Sequence, residues 1–396
     1  MTTSQYKTIE EISAKAFKKK KKEVEFLLPK ASIFQDKAKH IFHRAEKYVE
    51  NIRANSDDLS IENFLKEYKL STYEGVAILS LAEALLRVPD SQTADELIED
   101  KLGKGNWKEH LSSESGQLMN SSTYGLMLSG EIINADKEGS KLRKTIGSII
   151  SRASEPFIRR AIKKGMEILG GKFVLGRNIE NALKKADEIS KHGYLFSYDM
   201  LGEGARTAKQ ADQYLNSYLN AIDKISYNFK VTKSEAASIN LYANPNISVK
   251  LSALHPRFEL KKIDMLKQEL LPRLKKVAKK AMESNMWLSI DAEESWRVDA
   301  SLILFEELFK DEEFEGYEGL GFVLQSYSKR AYYIIQYLKE LSEKYGRKIP
   351  VRLVKGAYWD TEIKYAQQNG LEGYPVFTRK SHTDLSYLVC AKEMLD

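Results

Sequence analysis

A lysine and an aspartate stand at the ends of two β-like runs near the middle of the sequence. Lys250 lies in the run 247–251, and Asp291 directly follows the run 287–290. An ammonium group on an apolar strand is costly unless it is paired or functional. Because the two runs are predicted to be adjacent strands, we expect Lys250 and Asp291 to form an ion pair. That pair is either purely structural or part of a catalytic centre.

A second group combines an amide, cations, a glycine and aromatic rings. Gln325 follows the run 321–324, and its side chain can both donate to and accept from the edge of a heterocycle. The run 350–354 and the loop after it contribute Arg352, Lys355, Gly356, Ala357, Tyr358 and Trp359. Cations suit a phosphate or an electron-rich ring, glycine permits close approach, and aromatic rings cover a flat face.

Another anion-binding pattern lies nearer the end of the sequence. Thr378, Arg379 and Lys380 precede the last predicted helix, so a hydroxyl, two cations and a helix N-terminus can bind an anionic group. Together with the groups above, these residues indicate a large, planar, anionic cofactor. One alternative chemistry stays open: Lys250 forms a Schiff base with Asp291 as the acid or base, as in aldolase-type lyases.

The elements that must position these residues alternate between strands and helices. Five strands are predicted, at 194–200, 247–251, 287–290, 321–324 and 350–354, and amphipathic helices lie between them. This alternation indicates parallel β/α units, in either an open doubly wound sheet or a (β/α)8 barrel. The segment 202–207 lacks the third glycine of a dinucleotide-binding turn. We therefore predict an α/β fold with about five units of a TIM-type barrel, because such barrels carry their active sites at the carboxyl ends of strands.

The first half of the chain is predicted to be helical. We assign 1–140 to a helical arm and α-domain, 141–190 to a helical linker and 191–396 to the barrel part, with a buried helix at 75–86. Five consecutive lysines, Lys18 to Lys22, indicate a solvated helix face or arm, with contact to anionic lipid or nucleic acid as the alternative. His40 and His43 share a helix face, but no third ligand is evident, and no metal site is expected.

Composition excludes several classes of protein. Of 396 residues, 42% are hydrophobic and 30% are charged, which is typical of a globular protein and not of a disordered or fibrous one. The net charge of +6 does not by itself indicate nucleic-acid binding. The single Cys390 excludes an internal disulfide, and a reducing, cytoplasmic location is expected. The segment 75–86 is too short to span a membrane, because a spanning helix needs about 20 apolar residues.

Five ordered segments resemble the proline dehydrogenase domain of the proline utilization A flavoenzymes. They are 248–258 (SVKLSALHPRF), 290–294 (IDAEE), 321–327 (GFVLQSY), 352–360 (RLVKGAYWD) and 370–380 (GLEGYPVFTRK). The similarity continues upstream through 198–203 (YDMLGE) and 75–87 (GVAILSLAEALLR). It therefore covers most of the chain from about residue 70 onward.

The resemblance implies an FAD-dependent oxidation of L-proline to Δ1-pyrroline-5-carboxylate, with electrons passed to a membrane quinone. It places Arg352 near flavin N5 and Gln325 at the edge of the isoalloxazine ring. Lys250, Asp291 and Tyr358 become the residues on the proline side. The remaining flavin contacts implied by the resemblance are Lys355, Gly356, Ala357 and Trp359, with Thr378, Arg379 and Lys380 nearer the pyrophosphate and adenosine.

Departures from the family pattern lead to further expectations. Eight strands close the family's barrel, and an arginine pair on its last helix holds the proline carboxylate, so we expect another chain to supply the remaining strands. Without it, a catalytically incomplete remnant or interaction subunit is the alternative function. No ribbon-helix-helix segment is seen at the N-terminus, so no DNA-binding domain is expected. The resemblance assigns 1–140 to a dimerisation-type arm and domain, allows a homodimer, and allows peripheral contact with the inner face of the membrane.

Overall fold

A computed structural model describes residues 8–54, 174–200, 202–232 and 240–396 of the chain. The chain divides into two compact units, one formed by Met1–Ala38 with Ala186–Asp396 and the other by Lys39–Lys185. The predicted helix at 75–86 and most of the predicted linker lie outside the described residues. The site discussed below lies entirely within the first unit.

The described part of the chain begins with short helices and continues as alternating strands and helices. In chain order they are α1 (Ile9–Ser13), α2 (Lys20–Leu27), α3 (Ser32–Asp36), α4 (Ala38–Ala54), α5 (Ile179–Ser190), β1 (Ser197–Asp199), α6 (Ala208–Thr232), β2 (Asn246–Val249), α7 (Leu251–Leu254), α8 (Ile263–Glu283), β3 (Trp287–Ile290), α9 (Val298–Phe309), β4 (Leu320–Gln325), α10 (Ala331–Tyr345), β5 (Val351–Val354), α11 (Trp359–Gln368) and α12 (Lys380–Leu395).

The five strands form one parallel sheet in the order β1-β2-β3-β4-β5. Each strand therefore pairs with the next one along the chain, which is the strand order of a (β/α)8 barrel. The prediction of about five units of a TIM-type barrel is confirmed. Val249 pairs in register with Ile290, so the residues that follow these two strands come to the same level of the sheet.

Burial explains why these short segments become strands. Every residue of β2 and β4 is buried, which is typical of parallel strands covered on both faces. Helix α8 places Leu270, Leu274 and Val277 in the core with no exposed surface. Transfer of such side chains from water contributes about 1.5–3 kcal/mol each, and this burial holds the strand ends at fixed positions.

The sheet also buries a polar layer below the strand ends. The Asn246 side chain donates to the Trp287 carbonyl oxygen at 3.1 Å. Its Oδ1 accepts from the Ser289 hydroxyl at 3.2 Å and from the Ser197 hydroxyl. One asparagine thus joins β1, β2 and β3 through side-chain hydrogen bonds, which is how buried polar groups offset the cost of leaving water.

Two strand boundaries differ from the prediction by more than one residue. The first strand was predicted at 194–200 but spans only Ser197–Asp199, because Tyr194 and Leu195 are 63% and 55% exposed and lie outside the sheet. The second strand ends at Val249, and Leu251 instead begins the short helix α7. Lys250 is the N-cap of that helix, with extended backbone angles. It therefore lies between a strand and a helix rather than inside a strand.

The N-terminal arm packs against the outer helices of the barrel part. The ammonium of Lys18 lies 2.7 Å from a Glu23 carboxylate oxygen and 2.6 Å from the Tyr333 hydroxyl of α10. Glu23 is only 1% exposed, whereas Lys21 and Lys22 are exposed. The first lysine of the basic run thus anchors the arm. Within the described ranges, no helix has the length and hydropathy needed to cross a bilayer.

Candidate active site

Lys250 lies between two carboxylates at the carboxyl ends of the strands. Its Nζ is 2.7 Å from Asp291 Oδ2 and 2.8 Å from Asp199 Oδ1. Asp199 ends β1, and the backbone N–H of Asp291 donates to the Val249 carbonyl oxygen at 2.9 Å. The expected pair between Lys250 and Asp291 is therefore present, and Asp199 is a second partner that the sequence analysis did not name.

The surroundings of Lys250 hold it in the charged form. Burial alone would lower the pKa of Lys250, but the charges of Asp291 and Asp199 and their hydrogen bonds outweigh it and raise the pKa above its usual value. A Schiff base requires an uncharged amine as the nucleophile. The geometry therefore disfavours the aldolase-type alternative and supports a role for Lys250 as a fixed cation.

Arg352 reaches the same aspartate from a strand that is not adjacent. Its guanidinium Nη2 lies 2.7 Å from Asp291 Oδ1, while β4 separates the two strands in the sheet. The Arg352 side chain remains 41% exposed. Asp291 thus carries a cation on each of its two oxygens, and the second cation presents a free edge to solvent.

Gln325 binds backbone groups on both of its amide atoms. Its Nε2 donates to the Glu293 carbonyl oxygen at 2.9 Å, and its Oε1 accepts from the Ala357 N–H at 2.8 Å. The side chain therefore links the loops after β3 and β5.

Gly356 allows the loop after β5 to pass directly over the Tyr327 ring. Its φ of +144° is one that side chains with a Cβ rarely adopt. A Cβ at this position would overlap the Tyr327 ring. The loop is also fixed by the Tyr327 N–H, which donates to the Lys355 carbonyl oxygen at 2.8 Å.

The two aromatic residues of this loop have different partners. The Tyr358 hydroxyl donates to Glu203 Oε2 at 3.2 Å, and burial followed by the charge of Glu203 raises the pKa of Tyr358. The indole N–H of Trp359 donates to the Phe377 carbonyl oxygen at 3.0 Å, while the side chain stays 42% exposed. Trp359 thus offers an accessible aromatic surface next to the loop.

The two cationic groups predicted from distant parts of the sequence meet at one aspartate. The Lys355 ammonium pairs with Asp384 Oδ1, and the Lys380 ammonium lies 2.7 Å from Asp384 Oδ2. Arg379 is the N-cap of α12, and Thr378 precedes it half-buried. These residues therefore form one cationic surface at the start of a 16-residue helix.

The donor set fits the planar, anionic cofactor expected from the sequence. Exposed cations and a helix N-terminus suit a pyrophosphate, and the exposed Trp359 ring suits a flat heterocycle. Among the described residues, no group of three or more histidine, cysteine, aspartate or glutamate side chains is arranged to hold a metal ion.

Several residues of this site were missed by the sequence analysis. They are Asp199, Glu203, Tyr327, Glu362 and Asp384. Asp199 ends a strand, so the criterion that selected Asp291 would have found it. The other four are positioned by loop and helix packing, for which the sequence gives no comparable signal.

Comparison with known proteins identifies two sequence families. Residues 182–396 match the family described as "Proline dehydrogenase". Residues 60–173 match the family described as "DNA-binding domain of Proline dehydrogenase". The first match covers more than half of the chain and contains every residue predicted for the site.

The named relatives of this chain are PutA proteins and proline dehydrogenases. "Bifunctional protein PutA" of Escherichia coli is 42% identical over 377 residues, covering 94% of this chain and 28% of that protein. "Proline dehydrogenase" of Deinococcus radiodurans is 26% identical over 211 residues, covering 53% of this chain and 60% of that protein. A crystal structure of a Bradyrhizobium japonicum Proline Utilization A (PutA) mutant has a TM-score of 0.64 at 38% identity, covering 100% of this chain and 38% of that chain. The chain thus spans about a quarter of the length of the PutA proteins it matches.

One sequence expectation is wrong. No DNA-binding domain was expected, yet residues 60–173 match a family described as one. The expectation depended on a single signature, the short strand and two helices of a ribbon-helix-helix segment at the N-terminus, whereas the match begins at residue 60. The matched residues lie outside the described part of the structure.

Proposed function

Because the chain belongs to the proline dehydrogenase family, we propose that it binds FAD and oxidises L-proline to Δ1-pyrroline-5-carboxylate. The observation that carries the proposal is the shared carboxylate of Asp291, which holds the Lys250 and Arg352 cations at 2.7 Å each. This arrangement places fixed charges of both signs at the carboxyl ends of the strands, where barrel enzymes bind their substrates.

Lys250 controls the charge of the substrate amine. The ring nitrogen of proline must lose its positive charge before electrons can leave the neighbouring carbon. A lysine held in the ammonium form disfavours a second cation close by, and so it lowers the pKa of the bound amine. Asp199 and Asp291 keep Lys250 in that form, and the Tyr358 ring lies on the proline side of the site.

Arg352 stabilises negative charge that develops during the reaction. Its guanidinium is fixed on one side by Asp291 and is exposed on the other. A donor that is already oriented costs no reorganisation when the charge appears. Bound FAD supplies the two-electron acceptor, which protein side chains alone do not provide.

Two groups of residues hold the cofactor in this proposal. Gln325, Lys355, Gly356, Ala357 and Trp359 meet the isoalloxazine ring, whereas Thr378, Arg379 and Lys380 meet the pyrophosphate and adenosine. The helix N-terminus at Lys380 and the cations around Asp384 support the second assignment. A membrane quinone receives the electrons, and the protein is cytoplasmic with peripheral contact at the inner face of the membrane, as the family resemblance implies.

Product analysis tests the proposed function. The protein is loaded with FAD and incubated with L-proline and a water-soluble quinone, and the mixture is followed by mass spectrometry. The expected product is proline that has lost two hydrogen atoms, formed together with an equal amount of reduced quinone. Quinone reduction that does not depend on proline, or no loss of hydrogen from proline by the FAD-loaded protein, would contradict the proposal.

A further inference from the structure

Glu362 is a buried acid in the helix that follows the candidate flavin loop. It is only 1% exposed, and its Oε1 accepts from the backbone N–H of Ser295 at 2.5 Å. Its Oε2 is buried and has no hydrogen-bond partner among the described residues. The backbone N–H of Glu362 donates to the Tyr358 carbonyl oxygen at 2.9 Å, so the residue lies in the first turn after the loop.

The groups that face Glu362 come from the loops after β3 and β4. Burial raises the pKa of Glu362 to about 7, the Ser295 N–H and the Arg330 charge oppose this rise, and the charge of Glu294 adds to it. The Tyr327 hydroxyl also faces the carboxyl and lowers its pKa. The one cation among them, Arg330, is already bound to Asp299 at 2.8 Å.

Tyr327 connects this buried acid to the loop that would meet the flavin. Its ring lies under Gly356, and its N–H donates to the Lys355 carbonyl oxygen at 2.8 Å. Its hydroxyl is buried and faces the Glu362 carboxyl. A hydroxyl that donates to a carboxyl group favours its charged form, so the Tyr327 contact lowers the pKa of Glu362 while burial keeps the acid neutral.

We propose that Glu362 is a positioning residue whose neutral carboxyl joins the start of α11 to Ser295 and Tyr327, and that its ionisation loosens the loop 355–358. An ionised Glu362 would stand beside Glu294 in a buried site, and repulsion would separate α11 from the loop after β3. The loop then loses the support that Tyr327 gives beneath Gly356. The consequence for flavin binding rests on the proposed function, whereas the coupling of Glu362 to the loop does not.

The Ala357 amide reports the state of the loop without any cofactor. It donates to Gln325 Oε1 at 2.8 Å, so its hydrogen exchange slows when the loop is in place. In flavin-free protein, we expect its protection, corrected for intrinsic exchange, to fall by about tenfold from about pH 5.5 to about pH 8.5. Glu362→Gln keeps an acceptor for Ser295 and carries no charge, so its protection should not change with pH.

A matched control and a second variant complete the experiment. Glu343→Gln changes an exposed glutamate of α10 and should keep the wild-type pH dependence. Tyr327→Phe retains the ring under Gly356 and removes a group that lowers the pKa of Glu362, so the midpoint should move to higher pH. Equal pH dependence in wild type and Glu362→Gln would overturn the proposal. If Glu362→Gln does not fold, an unchanged midpoint in Tyr327→Phe would overturn it instead.

Titration of the same samples with FAD separates this inference from the proposed function. We expect FAD to bind more weakly to wild type at about pH 8.5 than at about pH 5.5, with no such difference in Glu362→Gln. Absence of FAD binding in every sample would count against the proposed function alone. The exchange of the Ala357 amide would still decide whether Glu362 positions the loop.

Discussion

Asp291 and Arg352 form a 2.7 Å ion pair although their strands are separated by β4. The pair requires the arginine side chain to reach past β4, which lies between the two strands. The other oxygen of Asp291 accepts from Lys250 at 2.7 Å. One carboxylate therefore fixes two cations, which the proposed reaction uses for different purposes.

Replacing Arg352 tests its role in the reduction of FAD by proline. In Arg352→Ala, we expect proline-dependent reduction of FAD to slow by roughly 100-fold, because one oriented donor to the developing negative charge is lost. Rapid-mixing absorbance measurements report this rate. Lys348→Ala, which removes an exposed lysine near Glu318, is the control and should reduce FAD at the wild-type rate. Equal rates in Arg352→Ala and wild type would contradict the role of Arg352.

Asp291→Asn should lower the pKa of Lys250. The charge of Asp291 is the largest of the effects that raise this pKa, and without it burial opposes the ammonium form more strongly. The pH dependence of Lys250 acetylation, followed by mass spectrometry, measures the change. Asp212→Asn, at the partner of Arg273 on the surface, is the control and should leave Lys250 unaffected. If both variants give the wild-type curve, Asp291 does not set the charge of Lys250.

Gly356→Ala should destabilise the loop after β5. The new Cβ would overlap the Tyr327 ring, and the φ of +144° would be strained in addition. We expect the free energy of unfolding in urea to fall by about 1–3 kcal/mol, the usual cost of such strain. Gly373→Ala is a matched control, since no heavy atom lies within 4 Å of its added Cβ. Equal stability of the two variants would show that the loop can move away from Tyr327.

The raised pKa of Glu362 predicts that the stability of the folded protein falls as the pH rises. Its folded pKa of about 7 lies above the unfolded value of about 4.5, so the folded state holds the proton more tightly. Its contribution is fully present below about pH 4.5 and is lost as the pH rises through about 7, a change of roughly 3 kcal/mol. Urea unfolding at several pH values should show this decline in wild type but not in Glu362→Gln. A constant difference between the two proteins across this range would refute the shifted pKa.

The parts of the site that follow strand register could be predicted from the sequence. Lys250 and Asp291 come directly after neighbouring parallel strands, and the carboxyl ends of such strands lie at one edge of the sheet. Their pairing follows from that topology. Arg352 was recognised as a candidate for the same reason, but its contact with Asp291 depends on a side chain that reaches past β4, which a list of strands does not contain.

Other features depend on packing between distant segments. Asp384 joins Lys355 and Lys380 because α12 packs beside the end of β5, and no local pattern marks that aspartate. Glu362 lies in the first turn of a helix, where acidic residues are common because a negative charge interacts favourably with the helix dipole. Only the three-dimensional structure reveals that the side chain is buried against Ser295 and Tyr327.

The most direct measurement is the visible absorption spectrum of the FAD-loaded protein before and after anaerobic addition of L-proline. The proposed function predicts that the flavin absorption bleaches with proline alone, since Lys250, Asp291 and Arg352 then act on a bound substrate beside the cofactor. Dithionite serves as the control that the bound flavin can be reduced. A spectrum that bleaches with dithionite but stays unchanged with L-proline would contradict the assignment of this chain as a proline dehydrogenase.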